Sequence, residues 1–146
     1  MQRSLEQILN SILHSSELLE EEMKQETDLK NLTSRQFYCI ELIKVMQNPS
    51  LTELAEKMNI AKASISVMIE RLERNKFLYK ISSDNDRRSA HVHLTEKGEK
   101  AASLHTELHK RIADLLTEGM TESEKEILIV LLNKSVKSLK CFNEIV

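Results

Sequence analysis

Apolar residues recur at the three- and four-residue spacing of a helix along most of this chain. The first helix is predicted over about residues 2–28. Its apolar face consists of Leu5, Ile8, Leu9, Ile12 and Leu13. A second helix is expected after Thr33, because Gln36 follows three residues later, the spacing of a capping box. This helix should be buried and should end at Asn48 and Pro49.

Residues 50–74 predict two short helices joined by a tight turn. Ser50 and Glu53 have the spacing of a second capping box, so we expect a helix to begin there. Asn59 falls where a left-handed residue must end that helix, a conformation that Asn tolerates well. A three-residue turn then leads into a helix over residues 62–74. Its apolar repeat consists of Ile65, Leu72 and either Met68 or Ile69.

Two short strand-like runs follow, at residues 77–81 and 91–94, with a polar loop between them. The loop reads Ser83-Asp84-Asn85-Asp86-Arg87-Arg88. The hairpin distinguishes this arrangement from an ordinary helical pair in a bundle. A helix-turn-helix with such a wing points to DNA binding.

The last part of the chain predicts two long helices. One begins at Thr95 and ends near Gly119, and a third capping box of Thr121 and Glu124 opens the other. The final helix is apolar around most of its circumference over residues 127–132, so we expect it to be covered on several sides.

Composition agrees with a mostly helical chain that has one core. Two Gly, one Pro and five aromatic residues occur among 146, whereas sandwiches and barrels need many turn residues. No apolar run approaches the roughly 20 residues of a membrane span, and no signal-peptide pattern opens the chain. A cytoplasmic protein with no membrane partner is therefore expected. Motifs of catalytic sites are not found, so we do not expect an enzyme.

Charge and cysteine content narrow the function further. Residues 50–94 hold eight Lys and Arg against six Asp and Glu, whereas both flanking parts have more acidic than basic residues. A local basic surface fits a specific nucleic-acid binder. Cys39 and Cys141 lie in apolar-periodic segments without CxxC spacing, which favours buried, idle thiols in a reducing compartment. A redox-sensing thiolate at Cys39 is the alternative.

Five short segments between residues 32 and 98 carry a family resemblance. They are Leu32-Thr33-Ser34-Arg35-Gln36-Phe37, Leu54-Ala55-Glu56-Lys57-Met58, Arg71-Leu72-Glu73-Arg74, Asp86-Arg87-Arg88 and Leu94-Thr95-Glu96-Lys97-Gly98. This combination resembles the MarR family of winged helix-turn-helix transcription regulators. The resemblance implies a mainly α fold with a two-stranded β wing and a helical dimerisation region. It implies one domain over 1–146, with a DNA-binding lobe at 33–98 and the dimerisation helices at 1–30 and 99–146.

The resemblance also implies roles for individual residues. The implied DNA-binding residues are Lys62, Ser64, Ser66, Val67, Arg71, Arg87 and Arg88. The first four would face the major groove, Arg71 would lie near the phosphates, and Arg88 would approach the minor groove from the wing. Short hydroxyls and Arg suit these positions chemically. Asp86 would hold the wing in shape, because its carboxylate would repel phosphate.

Three positions depart from the family pattern. Ala61 stands where the family often has a capping Ser, which leaves the first N–H groups of the next helix uncapped. Asn59 replaces a common Gly. Lys76 occupies another Gly position after that helix, and Asn75 is expected to supply the left-handed turn there.

By this resemblance the chain is expected to be a ligand-responsive repressor that binds double-stranded DNA as a homodimer at an inverted-repeat operator. A small-molecule effector would bind in the cleft between the dimer region and the DNA-binding lobes, and no cofactor is expected. A winged-helix module that binds only other proteins is a competing interpretation.

His105 and His109 support a further alternative, a zinc-responsive regulator of the same family. Their i, i+4 spacing puts both imidazoles on one helix face within reach of one metal ion. His14, Cys39 or a carboxylate of 20–22 would have to supply a third ligand through tertiary contact. Histidines that only pack in the core or line a pocket are the simpler interpretation.

Overall fold

The computed structural model describes residues 2–25, 27–83 and 86–145, and it describes their side chains except at 83, 86–89 and 141–145. The elements in chain order are α1 (Leu5–Gln25), α2 (Ser34–Val45), α3 (Leu51–Met58), α4 (Lys62–Arg74), β1 (Leu78–Ser83), β2 (Asp86–Leu94), α5 (Glu96–Leu116) and α6 (Glu122–Ile145). The predicted fold class, a mainly α chain with a two-stranded wing, is confirmed. None of the described helices is both long and apolar enough to span a membrane.

Local capping determines where the helices begin, as the sequence predicts. At α2 the Gln36 N–H donates to Thr33 Oγ1 at 3.2 Å, and the Thr33 N–H donates to Gln36 Oε1 at 3.0 Å. Ser50 makes the same reciprocal pair with Glu53 before α3. A third pair, of Thr121 and Glu124, precedes α6.

The chain divides into two compact units, residues 1–110 and 111–146. The core of the first unit gathers apolar side chains from α2 to α5. Its fully buried members include Phe37, Ile40, Ile43, Leu54, Ile65, Ile69, Leu72, Leu78, Val92 and Leu108. The expected burial of α6 does not occur within this single chain, because Ile127 and Ile129 are each 59% exposed and Leu132 is 51% exposed.

The hairpin is longer than predicted and starts one residue later. Its strands pair antiparallel from Leu78 opposite Leu94 to Ser83 opposite Asp86, so they continue into the predicted polar loop. Phe77 is excluded from β1 because its backbone has other partners. Its N–H donates to the Leu72 carbonyl at 3.0 Å, and its carbonyl accepts from the Thr95 N–H at the same distance.

The carbonyl of Phe77 also explains the glycine at the start of α5. A Cβ added to Gly98 would lie 2.0 Å from that oxygen, so only glycine allows the first turn of α5 to approach it. Thr95 completes the junction, because its hydroxyl donates to the Lys76 carbonyl at 2.6 Å and accepts from the Gly98 N–H at 3.2 Å. The end of α4, the base of the wing and the start of α5 are therefore fixed together.

Lys76 takes the left-handed conformation after α4, so the prediction for Asn75 is wrong. The φ angle is 63° at Lys76 and −85° at Asn75. The Lys76 N–H donates to the Glu73 carbonyl and the Phe77 N–H to the Leu72 carbonyl, which is a Schellman ending. This ending buries Phe77, and the left-handed residue must directly precede that buried side chain.

Lys24 is buried near the end of α1, which the sequence pattern did not indicate. Its side chain is fully enclosed, and its Nζ donates to Glu20 Oε1 at 2.8 Å and to the Leu32 carbonyl at 3.0 Å. Burial lowers the pKa of Lys24, but hydrogen bonds to Glu20 and Glu21 outweigh the burial and raise that pKa above its ordinary value. The charged lysine ties α1 to the segment before α2.

Replacing Lys24 should destabilise the folded chain. Lys24→Met should lower the free energy of unfolding by about 3 kcal/mol, because the Glu20 carboxylate and the Leu32 carbonyl lose a buried donor. Urea denaturation followed by circular dichroism measures the change. Lys100→Met is the matched control, since Lys100 pairs with Glu96 where both side chains are at least 75% exposed, and it should change stability little. Equal losses in both variants would contradict this account.

The strained turn after α4 gives an opposite prediction. Lys76→Gly should raise the free energy of unfolding by about 0.5 to 1 kcal/mol, because glycine adopts a positive φ without the steric penalty of a side chain. Asn75→Gly should instead lower it, since Asn75 already has a negative φ. The same denaturation assay compares the two variants, and stabilisation by Asn75→Gly alone would assign the left-handed position to Asn75 after all.

Candidate nucleic-acid interface

One face of α4 is fixed in the core, and the remaining surface is open to solvent. Ile65, Ile69 and Leu72 are all 0% exposed, which sets the rotation of the helix about its axis. Of the predicted contact residues on α4, four are exposed and one, Ser66, is half-buried. The exposed four are Lys62, Ser64, Val67 and Arg71. The structure therefore leaves four of the predicted α4 residues accessible to solvent and one, Ser66, partly accessible.

The N-terminus of α4 is uncapped, as predicted from Ala61. This residue has an extended backbone and makes no side-chain cap, and the first turn of α4 has no acidic residue. The first N–H groups of a helix carry partial positive charge, and Lys62 adds a full one. An anion such as a phosphate is favoured at this end of the helix.

The wing tip holds the remaining predicted residues. Asp86, Arg87 and Arg88 lie at the start of β2, where the backbone of Asp86 pairs with Ser83. The side chains of these three residues are outside the described part of the structure, as are residues 84 and 85 entirely. Their assigned roles stay predictions.

Two lysines near α4 make internal contacts. Lys80 Nζ lies 2.9 Å from Glu73 Oε2, which joins β1 to α4. Lys97 Nζ donates to the Asn75 carbonyl at 3.2 Å and lies 4.3 Å from the centre of the Phe77 ring. Sequence reasoning missed this role of Lys97, because the carbonyl and the ring that it contacts come together only in the folded chain.

A second cluster of polar side chains lies between α2 and α5. His105 is 4% exposed, and its Nδ1–H donates to Glu41 Oε2 at 2.8 Å. The His109 ring lies edge-to-face with His105, at 4.3 Å between centroids. Burial lowers the pKa of His105 more than the Glu41 carboxylate raises it, so its pKa falls below its ordinary value.

Glu41 is the acidic partner that sequence reasoning missed. The sequence predicts His14, Cys39 or a carboxylate of 20–22 as the third ligand of the histidine pair, whereas the structure groups Glu41 with His105 and His109. Glu41 is 64 positions from His105 in sequence, and helix periodicity relates only residues of the same helix. No local signal could have joined them.

Cys39 is enclosed by the core of the first unit. Its side chain is 0% exposed, and burial raises the pKa of the thiol to about 12. Redox sensing needs an accessible thiolate, so these properties favour the predicted idle thiol. The side chain of Cys141 lies outside the described residues.

The two wing histidines differ in their surroundings. His91 Nδ1 donates to the Asn48 carbonyl at 3.0 Å, next to a backbone bond from the Val92 N–H to the Pro49 carbonyl. His93 stacks on Tyr79 across the hairpin at 5.4 Å. The segment before α3 is thus joined to β2, a connection that the strand pattern alone did not predict.

Comparison with known proteins agrees with this geometry. The model of the MarR family matches residues 32–90. An HTH-type transcriptional regulator of Bacillus anthracis is 31% identical over 107 residues, which are 71% of this chain and 69% of the relative. The regulator YkoM of Bacillus subtilis (strain 168) is 31% identical over 101 residues, which are 68% of this chain and 65% of YkoM. The match to YkoM therefore spans slightly less than two thirds of that protein.

Solved structures establish the fold independently. Streptococcus pneumoniae FabT, crystallised in complex with DNA, has a TM-score of 0.80 at 24% identity, over 96% of this chain and 95% of FabT. The family match begins just before α2 and ends within β2, so it includes both helices of the helix-turn-helix. Together with the extent of the Bacillus anthracis alignment, it assigns this chain to the MarR family.

Proposed function

We propose that this chain is a sequence-specific, DNA-binding transcriptional regulator whose DNA-binding lobe is formed by residues 33–98. The observation that carries the proposal is the solvent-exposed surface of α4, where Lys62, Ser64, Val67 and Arg71 are exposed outside a fully buried stripe. Helix-turn-helix proteins insert the second helix of the pair into the major groove. The crystallisation of FabT with DNA supports the same use of this fold.

The proposed DNA contacts are of two kinds, those that position the protein on the DNA backbone and those that read the bases. In this proposal Lys62, Ser64, Ser66 and Val67 meet the major groove, where short side chains let the helix approach the base edges. Arg71 contacts phosphate and contributes affinity for any sequence. From the wing, Arg87 and Arg88 reach the backbone and minor groove while Asp86 supports the loop. The uncapped start of α4 adds a further phosphate site.

Exposed apolar side chains on α1 and α6 support a homodimer. Such large apolar surfaces on a single chain are typical of interaction sites. They include Leu5, Leu9, Leu13, Leu18, Ile127, Ile129, Val130, Leu131, Leu132, Val136 and Leu139. The segments 1–30 and 99–146 would pair with those of a second copy about a two-fold axis. Two recognition helices related in this way select an inverted repeat with half-sites about 10 bp apart.

Regulation would follow from occupancy of that operator. We expect a repressor that blocks a promoter in the cytoplasm and is released by a small-molecule effector. The effector must bind the DNA-incompetent state more tightly, and a tenfold change in DNA affinity corresponds to about 1.4 kcal/mol of coupling.

Selection from a random inverted-repeat library tests the proposed function. The full chain should enrich a palindromic consensus, bind it as a dimer in fluorescence anisotropy, and lose affinity steeply between two salt concentrations. Ser66→Ala should change which bases are enriched, because it removes a hydroxyl that reads a base edge. Weak, sequence-blind binding would contradict the proposal and favour a protein-binding module, and an unchanged consensus would remove Ser66 from base reading.

Arg71 should contribute to DNA affinity but not to sequence preference. Arg71→Ala should weaken binding to all sequences about equally and reduce the slope of log affinity against log salt by about 1, since one phosphate contact is lost. Arg111→Ala removes the same charge from an exposed position outside the lobe and should leave the slope unchanged. If both variants reduce the slope equally, Arg71 contributes only its general charge.

A further inference from the structure

The polar cluster between α2 and α5 is not used by the proposed DNA-binding surface. Glu41, His105 and His109 each offer one ligand atom, and these atoms all lie within 4.8 Å of one another. All three belong to the compact unit of residues 1–110. Glu41 is half-buried, His105 is buried and His109 is exposed, so the cluster opens to solvent on one side.

We propose that Glu41, His105 and His109 bind one divalent transition-metal ion of the zinc class. Two imidazoles and one carboxylate are a ligand set that Zn²⁺ takes when it keeps an open position for water. The set excludes Mg²⁺ and Ca²⁺ as the preferred ions, because those ions favour all-oxygen coordination.

The geometry needs little change to admit the ion. Ligand atoms about 2.1 Å from a tetrahedral zinc ion lie roughly 3.4 Å apart. The distance between His105 Nδ1 and Glu41 Oε2 is 2.8 Å, so these atoms would have to separate by about 0.6 Å, and no pair of ligand atoms in the cluster starts more than 4.8 Å apart.

A hydrogen bond between His105 and Glu41 does not by itself explain why His109 lies beside them. That bond needs only two residues, whereas His109 brings a second imidazole to 4.3 Å, one helical turn further along α5. Phe37 closes the buried side, with its ring centre 4.7 Å from that of His105. The cluster is thus convergent on one side and shielded on the other, as in sites with an ordered metal.

Metal binding would join α2 to α5 more firmly than the existing polar contacts. Lys44 Nζ on α2 lies 3.1 Å from Glu99 Oε2 and 3.2 Å from Ser103 Oγ on α5. The side chains of the Lys44–Glu99 ion pair are roughly half exposed. An ion coordinated by residues of both helices would bind only the folded chain, so the metal should raise the unfolding temperature. This inference does not depend on DNA binding.

A zinc titration of the metal-free full chain tests the site. Competition with a chromophoric chelator should give one Zn²⁺ per chain, and Co²⁺ should give the visible bands of a four-coordinate ion without a thiolate charge-transfer band. Glu41→Gln keeps a hydrogen-bond acceptor for His105 but removes the carboxylate, and His109→Asn changes an exposed residue. Each should weaken Zn²⁺ binding by more than about 100-fold, beyond the effect of an outer-shell group.

His14→Ala is the matched control, because His14 is an exposed histidine on α1, outside the cluster. It should leave the zinc affinity and the metal-dependent rise in unfolding temperature unchanged. Stoichiometric binding that survives both Glu41→Gln and His109→Asn, or that is lost equally in His14→Ala, would overturn the proposed site. A thiolate band in the Co²⁺ spectrum would overturn it as well, since it would assign a cysteine as ligand.

Discussion

The fully buried stripe of α4 is the constraint on which the proposed DNA-facing surface depends. Ile65, Ile69 and Leu72 allow one rotation of the helix, because any other would expose apolar area and bury charge. That requirement leaves Lys62 and Arg71 exposed to solvent. Exposed residues of α4 can therefore change without altering the rotation of the helix, whereas the buried stripe cannot.

The junction at Phe77 transmits this constraint to the wing and to α5. The Schellman ending of α4 buries Phe77, whose carbonyl then occupies the space that a side chain at position 98 would need. Thr95 and Lys97 bond to the carbonyls of Lys76 and Asn75. The hairpin therefore leaves α4 in a fixed direction, which the proposed placement of α4 in the major groove and of the wing near the minor groove requires.

Buried polar side chains between the helices have hydrogen-bond partners. Among the described residues, no buried side-chain nitrogen or oxygen lacks a hydrogen-bond partner. Lys24 joins α1 to the segment before α2, and His105 joins α5 to Glu41 on α2. Both contacts have Phe37 as a neighbour. Polar contacts of this kind fix the register between helices more narrowly than apolar packing does, since each bond has one length and direction.

Features that depend only on neighbouring residues are predictable from the amino-acid sequence. Capping boxes at Thr33, Ser50 and Thr121 and the left-handed Asn59 were readable because each involves groups a few positions apart. The tertiary structure makes Lys76 rather than Asn75 left-handed, since burial of Phe77 overrides the local preference. Only it brought Glu41 to the histidine pair, because packing between distant helices leaves no periodic signal in the chain.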